Sequence, residues 1–170
     1  MRAKNAMLDR CVQIVSAAPI PQPFSLEALR HNVAAQRGRP LTFHSLPQPT
    51  APEFPSGMWL GTGTADHVFY DGQTTDLHIR HIIFHELGHI FFDHNAAGLA
   101  DNDLLYGAAD MLDPTLIRRL LGRIRYSTVE EQEAELVATL MDEAVESLSR
   151  GSRSGKLPRL ALSLGYQGER

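Results

Sequence analysis

The residues best suited to chemistry lie at positions 85–89, which read His-Glu-Leu-Gly-His. This is the H-E-x-x-H pattern of helical zinc sites. Residues four apart on an α-helix share one face, so the imidazoles of His85 and His89 can both reach one Zn²⁺ at about 2.0–2.1 Å. Glu86 can face the same cleft as general base for a water that the zinc activates. The pattern therefore predicts a zinc hydrolase site.

The segment around this pattern has the character of a buried helix. Over residues 77–92 the large apolar side chains recur at roughly helical spacing, at Ile79, Ile82, Ile83, Leu87, Ile90 and Phe91. Two histidines and a glutamate on such a helix are costly to bury unless their polar atoms are satisfied, and one metal ion satisfies all three. The alternative is a pair of core histidines bonded to the backbone, with Glu86 exposed.

Composition predicts one folded domain over residues 1–150, followed by a loosely ordered tail over 151–170. The chain has 170 residues, 43% of them hydrophobic and 21% charged, which is typical of a globular protein. The net charge is −4 and the basic residues are scattered, so no nucleic-acid partner is expected. No apolar run is long enough for a membrane span. A single cysteine, Cys11, favours a reducing, cytoplasmic location.

Local patterns predict N-terminal helices and a small sheet ahead of the motif helix. Predicted helices are 3–17, 26–37, 77–92, a short one at 114–121, and 127–148; predicted strands are 41–46, 58–62 and 67–70. Residues 95–112 are expected to form a loop. From the order of elements alone, the last strand is predicted to be a sheet edge that borders the cleft, where an extended peptide can pair with it.

A catalytic zinc site needs a third protein ligand and an open position for water. The extended H-E-x-x-H-x-x-G-x-x-H pattern is excluded, because Phe92 and Asn95 stand where it requires glycine and histidine. His94 follows His89 by five residues, about 140° further round a helix, and is predicted to point elsewhere. Asp103, in an Asp-x-x-Tyr-Gly string, is one open alternative.

The helix predicted at 127–148 offers four further candidates, namely Glu130, Glu131, Glu133 and Glu135. Glu130 has a structural role open to it, since it completes a capping box with Ser127. Glu131 and Glu135 share a helix face, beside small alanines that allow another helix to approach. One of the two carboxylates can bind zinc while the other holds a ligand imidazole by its second nitrogen. Helical geometry does not exclude Glu133.

The pairing of His-Glu-Leu-Gly-His with residues 131–138, Glu-Gln-Glu-Ala-Glu-Leu-Val-Ala, resembles the ImmA/IrrE metallopeptidase family. Members carry the first motif, often with a nearby histidine such as His94, and then E-x-x-A-[ND]-x-F-A. The chain departs from this pattern at Glu135 and Val137. The resemblance implies one Zn²⁺ held by His85, His89 and Glu131, with Glu86 as the catalytic base.

The same resemblance implies an α+β, zincin-like fold and a bacterial zinc-dependent metallo-endopeptidase. Its expected substrate is a regulatory protein, such as a repressor or an antitoxin, and its expected partner is a helix-turn-helix regulator. The alternative is a non-catalytic, zinc-stabilised protein-interaction module of a regulatory or toxin–antitoxin pair. An intact Glu86 favours the enzyme, since a structural zinc has no use for a base.

Further polar residues are candidates for supporting roles. A tyrosine hydroxyl can donate to the oxyanion that forms at a scissile carbonyl, and three are available at Tyr70, Tyr106 and Tyr126. His78 and His81 lie on the same helical stripe as the motif histidines. Because a fourth protein ligand would close the open position, these two are predicted to form hydrogen bonds near the helix start.

Overall fold

The computed structural model of the chain describes residues 2–46, 55–62, 64–94 and 125–150. The elements in these ranges are α1 (Arg2–Ala17), α2 (Leu26–Arg37), β1 (Leu41–Leu46), β2 (Gly57–Gly61), β3 (Asp66–Asp71), α3 (Asp76–Phe92) and α4 (Thr128–Ser149). The predicted α+β class is confirmed, and each of these elements begins and ends within one residue of its predicted bounds. Predictions for 95–112, 114–121 and 151–170, together with Asp103 and Tyr106, lie outside the described residues.

The three strands form one mixed sheet in the order β1-β3-β2. β1 runs parallel to β3, and β2 runs antiparallel to it. The prediction that the last strand is a sheet edge was therefore wrong, because β3 is the central strand. Order along the chain does not fix order in a sheet: β2 pairs with one side of β3, and a crossover brings β1 to the other side. Among the described strands, β2 and β1 are the edges.

The core lies between one face of the sheet and the helices. α3 contributes Ile83, Phe84, Leu87 and Ile90, and α4 contributes Val137, Ala138, Leu140 and Met141, all of them buried. α1 packs against α4, where the buried Cys11 thiol contacts the main-chain carbonyl of Glu133. Burial raises the pKa of that thiol to about 12, so it stays protonated. No described helix combines the length and apolar character needed to cross a membrane.

A buried aspartate fixes β2 and α2 relative to α3. Asp66, which is fully buried, accepts hydrogen bonds from Arg37 Nε at 2.8 Å and from the indole nitrogen of Trp59 at 3.1 Å. Arg37 also donates to the main-chain carbonyl of Ile90 at 3.2 Å. A buried carboxylate with this many donors orients the elements that carry them. The strand β2 is thereby held beside the motif helix.

Candidate metal centre

Three ligand atoms converge where α3 crosses α4. His85 and His89 lie one turn apart on α3, and Glu131 lies in the first turn of α4. The Nε2 atoms of the two histidines are 3.1 Å apart. The Glu131 carboxylate lies 3.3 Å from His85 Nε2 and 3.8 Å from His89 Nε2. These three residues form a cluster with all ligand atoms within 4.8 Å of one another, an arrangement that could hold a metal ion.

The spacing of these atoms can be tested against the size of a zinc ion. Ligands at about 2.0–2.1 Å from a tetrahedral zinc are separated from each other by roughly 3.3 Å. The three observed separations, 3.1, 3.3 and 3.8 Å, lie around that value. Two imidazoles and one carboxylate are also a donor set found in catalytic zinc sites with an open fourth position. The residues therefore fit such an ion in both spacing and chemistry.

His85 has an acidic partner on its second ring nitrogen. Its Nδ1 lies 3.4 Å from a carboxylate oxygen of Glu135, which is the imidazole contact predicted for one of the two carboxylates, Glu131 and Glu135. Glu135 also lies 3.3 Å from Nε2 of His81, whose Nδ1 is 2.8 Å from Asp142. Burial lowers the pKa of His81, but Asp142 and Glu135 raise it by more. His78 contacts Thr74 at the helix start at 3.1 Å, as predicted, whereas the partners of His81 lie on α4.

His94 contacts His89 of the candidate centre, which corrects the prediction that His94 points elsewhere. The two Nδ1 atoms are 2.9 Å apart. The prediction assumed a continuous helix, but α3 ends at Phe92, and Asp93 takes the left-handed conformation with φ 54°. The chain therefore turns back at Asp93, and the His94 ring comes to lie beside the last turn of the helix. Burial, together with His85 and His94, lowers the pKa of His89 to about 3, so its imidazole is neutral and able to bind a metal.

Glu86 is buried beside the cluster, with 4% of its surface exposed. A β-carbon on Gly57 would lie 2.7 Å from Glu86 Oε1, so the absence of a side chain at Gly57 makes room for the carboxylate. Its Oε2 has no hydrogen-bond partner among the described residues. Burial and the nearby Glu131 raise the pKa of Glu86 to about 8, although a backbone hydrogen bond from Trp59 acts to lower it. The role of Gly57 was not anticipated from the sequence.

Tyr126, just before α4, covers the other side of His89. The two rings are stacked, with centroids 3.7 Å apart and planes 13° apart. The Tyr126 hydroxyl is buried without a hydrogen-bond partner in the described ranges. Burial raises the pKa of this hydroxyl, and the negative charges of Glu86 and Glu131 raise it further. Tyr70, the other candidate that the structure describes, packs against the hydrophobic core.

The glutamates of α4 separate into distinct environments. Glu130 completes the predicted capping box with Ser127. Glu133 is buried and pairs with Arg10 at 2.9 Å and with His94 at 3.1 Å. Among the four glutamates, Glu131 alone belongs to the cluster of ligand atoms.

Fold and site together define an α+β protein with a candidate His-His-Glu metal centre between two helices. Comparisons of the chain with family models, curated proteins and solved structures found no match.

Proposed function

We propose that the chain is a zinc-dependent metallo-endopeptidase of zincin-like fold, related to the ImmA/IrrE family. His85, His89 and Glu131 would hold one Zn²⁺, and Glu86 would be the general base. The observation that carries the proposal is the convergence of these three ligands beside the buried Glu86 carboxylate. A metal that served only to join two helices would gain nothing from a buried carboxylate oxygen beside it that has no partner among the described residues, and burying such an oxygen is costly.

The chain's own residues supply the proton transfers that peptide hydrolysis needs. When bound, zinc would polarise the scissile carbonyl and lower the pKa of a water molecule toward ~7. Glu86 takes a proton from the attacking water and delivers it to the leaving amine. Its burial beside the cluster places the carboxylate where it can accept and then release a proton. The buried Tyr126 hydroxyl is the candidate donor to the oxyanion.

Among the described strands β2 is an edge of the sheet, and we propose that a peptide in extended conformation pairs with its outer side. The hydrogen bonds Thr62 N–H to Ala65 O and Asp71 N–H to Ser56 O indicate that even-numbered residues of β2 pair with β3. The backbone groups of Trp59 therefore face away from β3, toward Glu86, to which Trp59 donates. Because Glu86 accepts from the Trp59 N–H, a substrate strand would pair here through the Trp59 carbonyl, which lies beside the base. This supports an endopeptidase over a hydrolase of small molecules.

The expected substrate remains a regulatory protein, such as a repressor or an antitoxin, in a cytoplasmic setting. The family resemblance supports this part of the proposal, through the order of residues 85–89 and 131–138. A helix-turn-helix regulator is accordingly the first partner to test.

The experiment that tests the proposal combines metal content with cleavage of a peptide library read by mass spectrometry. Wild type is compared with Glu86→Gln and with Glu143→Gln, a control at an exposed position of α4. We expect about one zinc per chain in all three, and cleavage lower by roughly 10²–10⁴-fold in Glu86→Gln alone. Equal cleavage in Glu86→Gln would refute the mechanism. Zinc binding without cleavage of the library or of a co-expressed regulator would favour the non-catalytic module.

A further inference from the structure

We infer that His94 is a positioning residue for the metal ligand His89, and that Glu133 and Arg10 hold His94 in that role. The inference rests on the proposed zinc site and adds the residues that orient one of its ligands. His94 lies outside the His-Glu-Leu-Gly-His motif, and Arg10 lies on the first helix of the chain.

A continuous line of polar contacts leads from the centre to α1. His89 Nε2 faces the other ligand atoms, and its Nδ1 lies 2.9 Å from Nδ1 of His94. Nε2 of His94 lies 3.1 Å from Oε2 of Glu133. The second oxygen of Glu133, Oε1, accepts from Arg10 NH1 at 2.9 Å. Four residues from α1, α3, α4 and the turn after α3 are thereby joined.

Only one direction of hydrogen bonding along this line suits metal binding. A metal on His89 Nε2 uses that nitrogen's lone pair, so the ring proton must be on Nδ1, which then donates to His94. His94 Nδ1 must accept, which places the His94 proton on Nε2, where it donates to Glu133. Glu133 is paired with Arg10, and a carboxylate can only accept. The hydrogen bond to Glu133 therefore favours one tautomer of His94. That tautomer in turn favours the His89 tautomer whose Nε2 lone pair faces the metal.

Packing holds the His94 ring in the required orientation. The side chains of His94 and Glu133 are 7% and 5% exposed, whereas that of Arg10 is 60% exposed. The Phe92 ring stacks on His94 with the planes only 6° apart, and Arg10 lies over the same Phe92 ring. A buried ring between fixed neighbours has little freedom to rotate. His85 differs, since its partner Glu135 is 59% exposed and 3.4 Å away.

The test is zinc affinity, measured by competition with a chelator, for two variants of equal polarity. In His94→Asn, the amide oxygen can take the place of Nδ1 and still accept from His89. In His94→Gln, the amide reaches the position of Nε2, which keeps the Glu133 contact but removes the acceptor for His89. We expect His94→Gln to weaken zinc binding roughly 10–100-fold and His94→Asn to stay near wild type. If His94 only filled space, His94→Gln would not bind zinc more weakly than His94→Asn.

Further controls distinguish a failure of the inference about His94 from a failure of the proposed zinc site. His44→Leu removes another half-buried imidazole, which stacks on Phe69 and does not belong to the ligand cluster, and should leave zinc affinity unchanged. Thermal unfolding of the metal-free variants checks that each is folded, and the visible spectrum of the Co²⁺-loaded protein should change in His94→Gln alone. If wild type binds zinc tightly and His94→Gln binds it equally well, the inference about His94 is overturned while the proposed site stands. If wild type binds no zinc, the proposed site itself fails.

Discussion

Gly88 lies so close to Ala134 that a β-carbon on Gly88 would come within 2.8 Å of the Ala134 α-carbon. At this point α4 leaves no room for a side chain on α3, and the contact occurs within one turn of the candidate metal centre. Gly88 directly precedes His89, and Ala134 follows Glu131 by three residues. The absence of a side chain at Gly88 therefore allows Glu131 to come near His85 and His89.

Gly88→Ala is expected to destabilise the protein although alanine is the better helix former. In an exposed helix the change would stabilise by about 1 kcal/mol. Here we expect a loss of roughly 1–3 kcal/mol, as is usual for overpacking, together with weaker zinc binding. Urea unfolding and chelator competition measure the two effects.

The double variant Gly88→Ala/Ala134→Gly is the matched control. The nearest obstructing atoms belong to the Ala134 backbone, so removing the Ala134 methyl should not restore stability. Recovery in the double variant would show that the side chain, and not the backbone, sets the helix separation.

Much of the centre could be predicted because it depends on helical periodicity alone. The separation of four between His85 and His89, and between Glu131 and Glu135, puts each pair on one helix face whatever the rest of the fold does. The capping box of Ser127 and Glu130 is equally local. Local patterns also fixed the ends of the seven described elements to within one residue.

The remaining parts depend on contacts between distant segments. His94 was misplaced because one left-handed residue, Asp93, reverses the chain where a helix would have continued. The ion pair of Arg10 with Glu133 joins residues more than 120 positions apart, and no local pattern indicates it. The position of β3 at the centre of the sheet likewise depends on which strands pair, which alternation within a strand does not specify.

Tyr126→Phe separates the contribution of the tyrosine hydroxyl from that of its ring. The phenylalanine ring can keep the stacking on His89, so zinc affinity should remain near that of wild type. Removing a buried hydroxyl without a described partner should leave stability unchanged or raise it by up to ~1 kcal/mol. Cleavage should fall roughly 10²–10³-fold if the hydroxyl donates to the oxyanion. Full activity in Tyr126→Phe would exclude that role.

The raised pKa of Glu86 makes the metal-free protein less stable as pH rises. Between its unfolded pKa, near 4.5, and its folded pKa of about 8, the folded state holds a proton that the unfolded state has released. The unfolded state then binds fewer protons, so the free energy of unfolding falls with pH across this window. We expect a loss on the order of 1–4 kcal/mol between pH 5 and pH 8 from this group.

Urea unfolding of metal-free protein at several pH values measures that loss. Glu86→Gln should remove most of the slope, whereas Glu143→Gln, at an exposed position, should retain it. An unchanged slope in Glu86→Gln would mean that another group titrates in this window.

Asp66→Asn tests whether the buried ion pair is structural only. The amide cannot balance the charges of Arg37 and Arg39, which lie 2.8 and 3.4 Å from the carboxylate. Breaking a buried pair in this way typically costs about 3–5 kcal/mol. Zinc affinity of the folded variant should stay within a few-fold of wild type, because Asp66 is not among the ligands. A large loss of zinc affinity in a variant that is still fully folded would show that Asp66 supports the metal centre.

The identity of the third ligand can be decided by the zinc content of three variants measured by elemental analysis. Glu131→Gln removes a carboxylate that lies within 3.8 Å of both imidazoles, so bound zinc should be lost. Glu135→Gln changes the partner of His85 Nδ1 and of His81 Nε2 but removes no member of the ligand cluster, so zinc should remain, with affinity lower by roughly 10-fold. Asp103→Asn should match wild type, at about one zinc per chain. Loss of zinc in Asp103→Asn with retention in Glu131→Gln would instead assign the aspartate as ligand, and the helix-to-helix site would have to be abandoned.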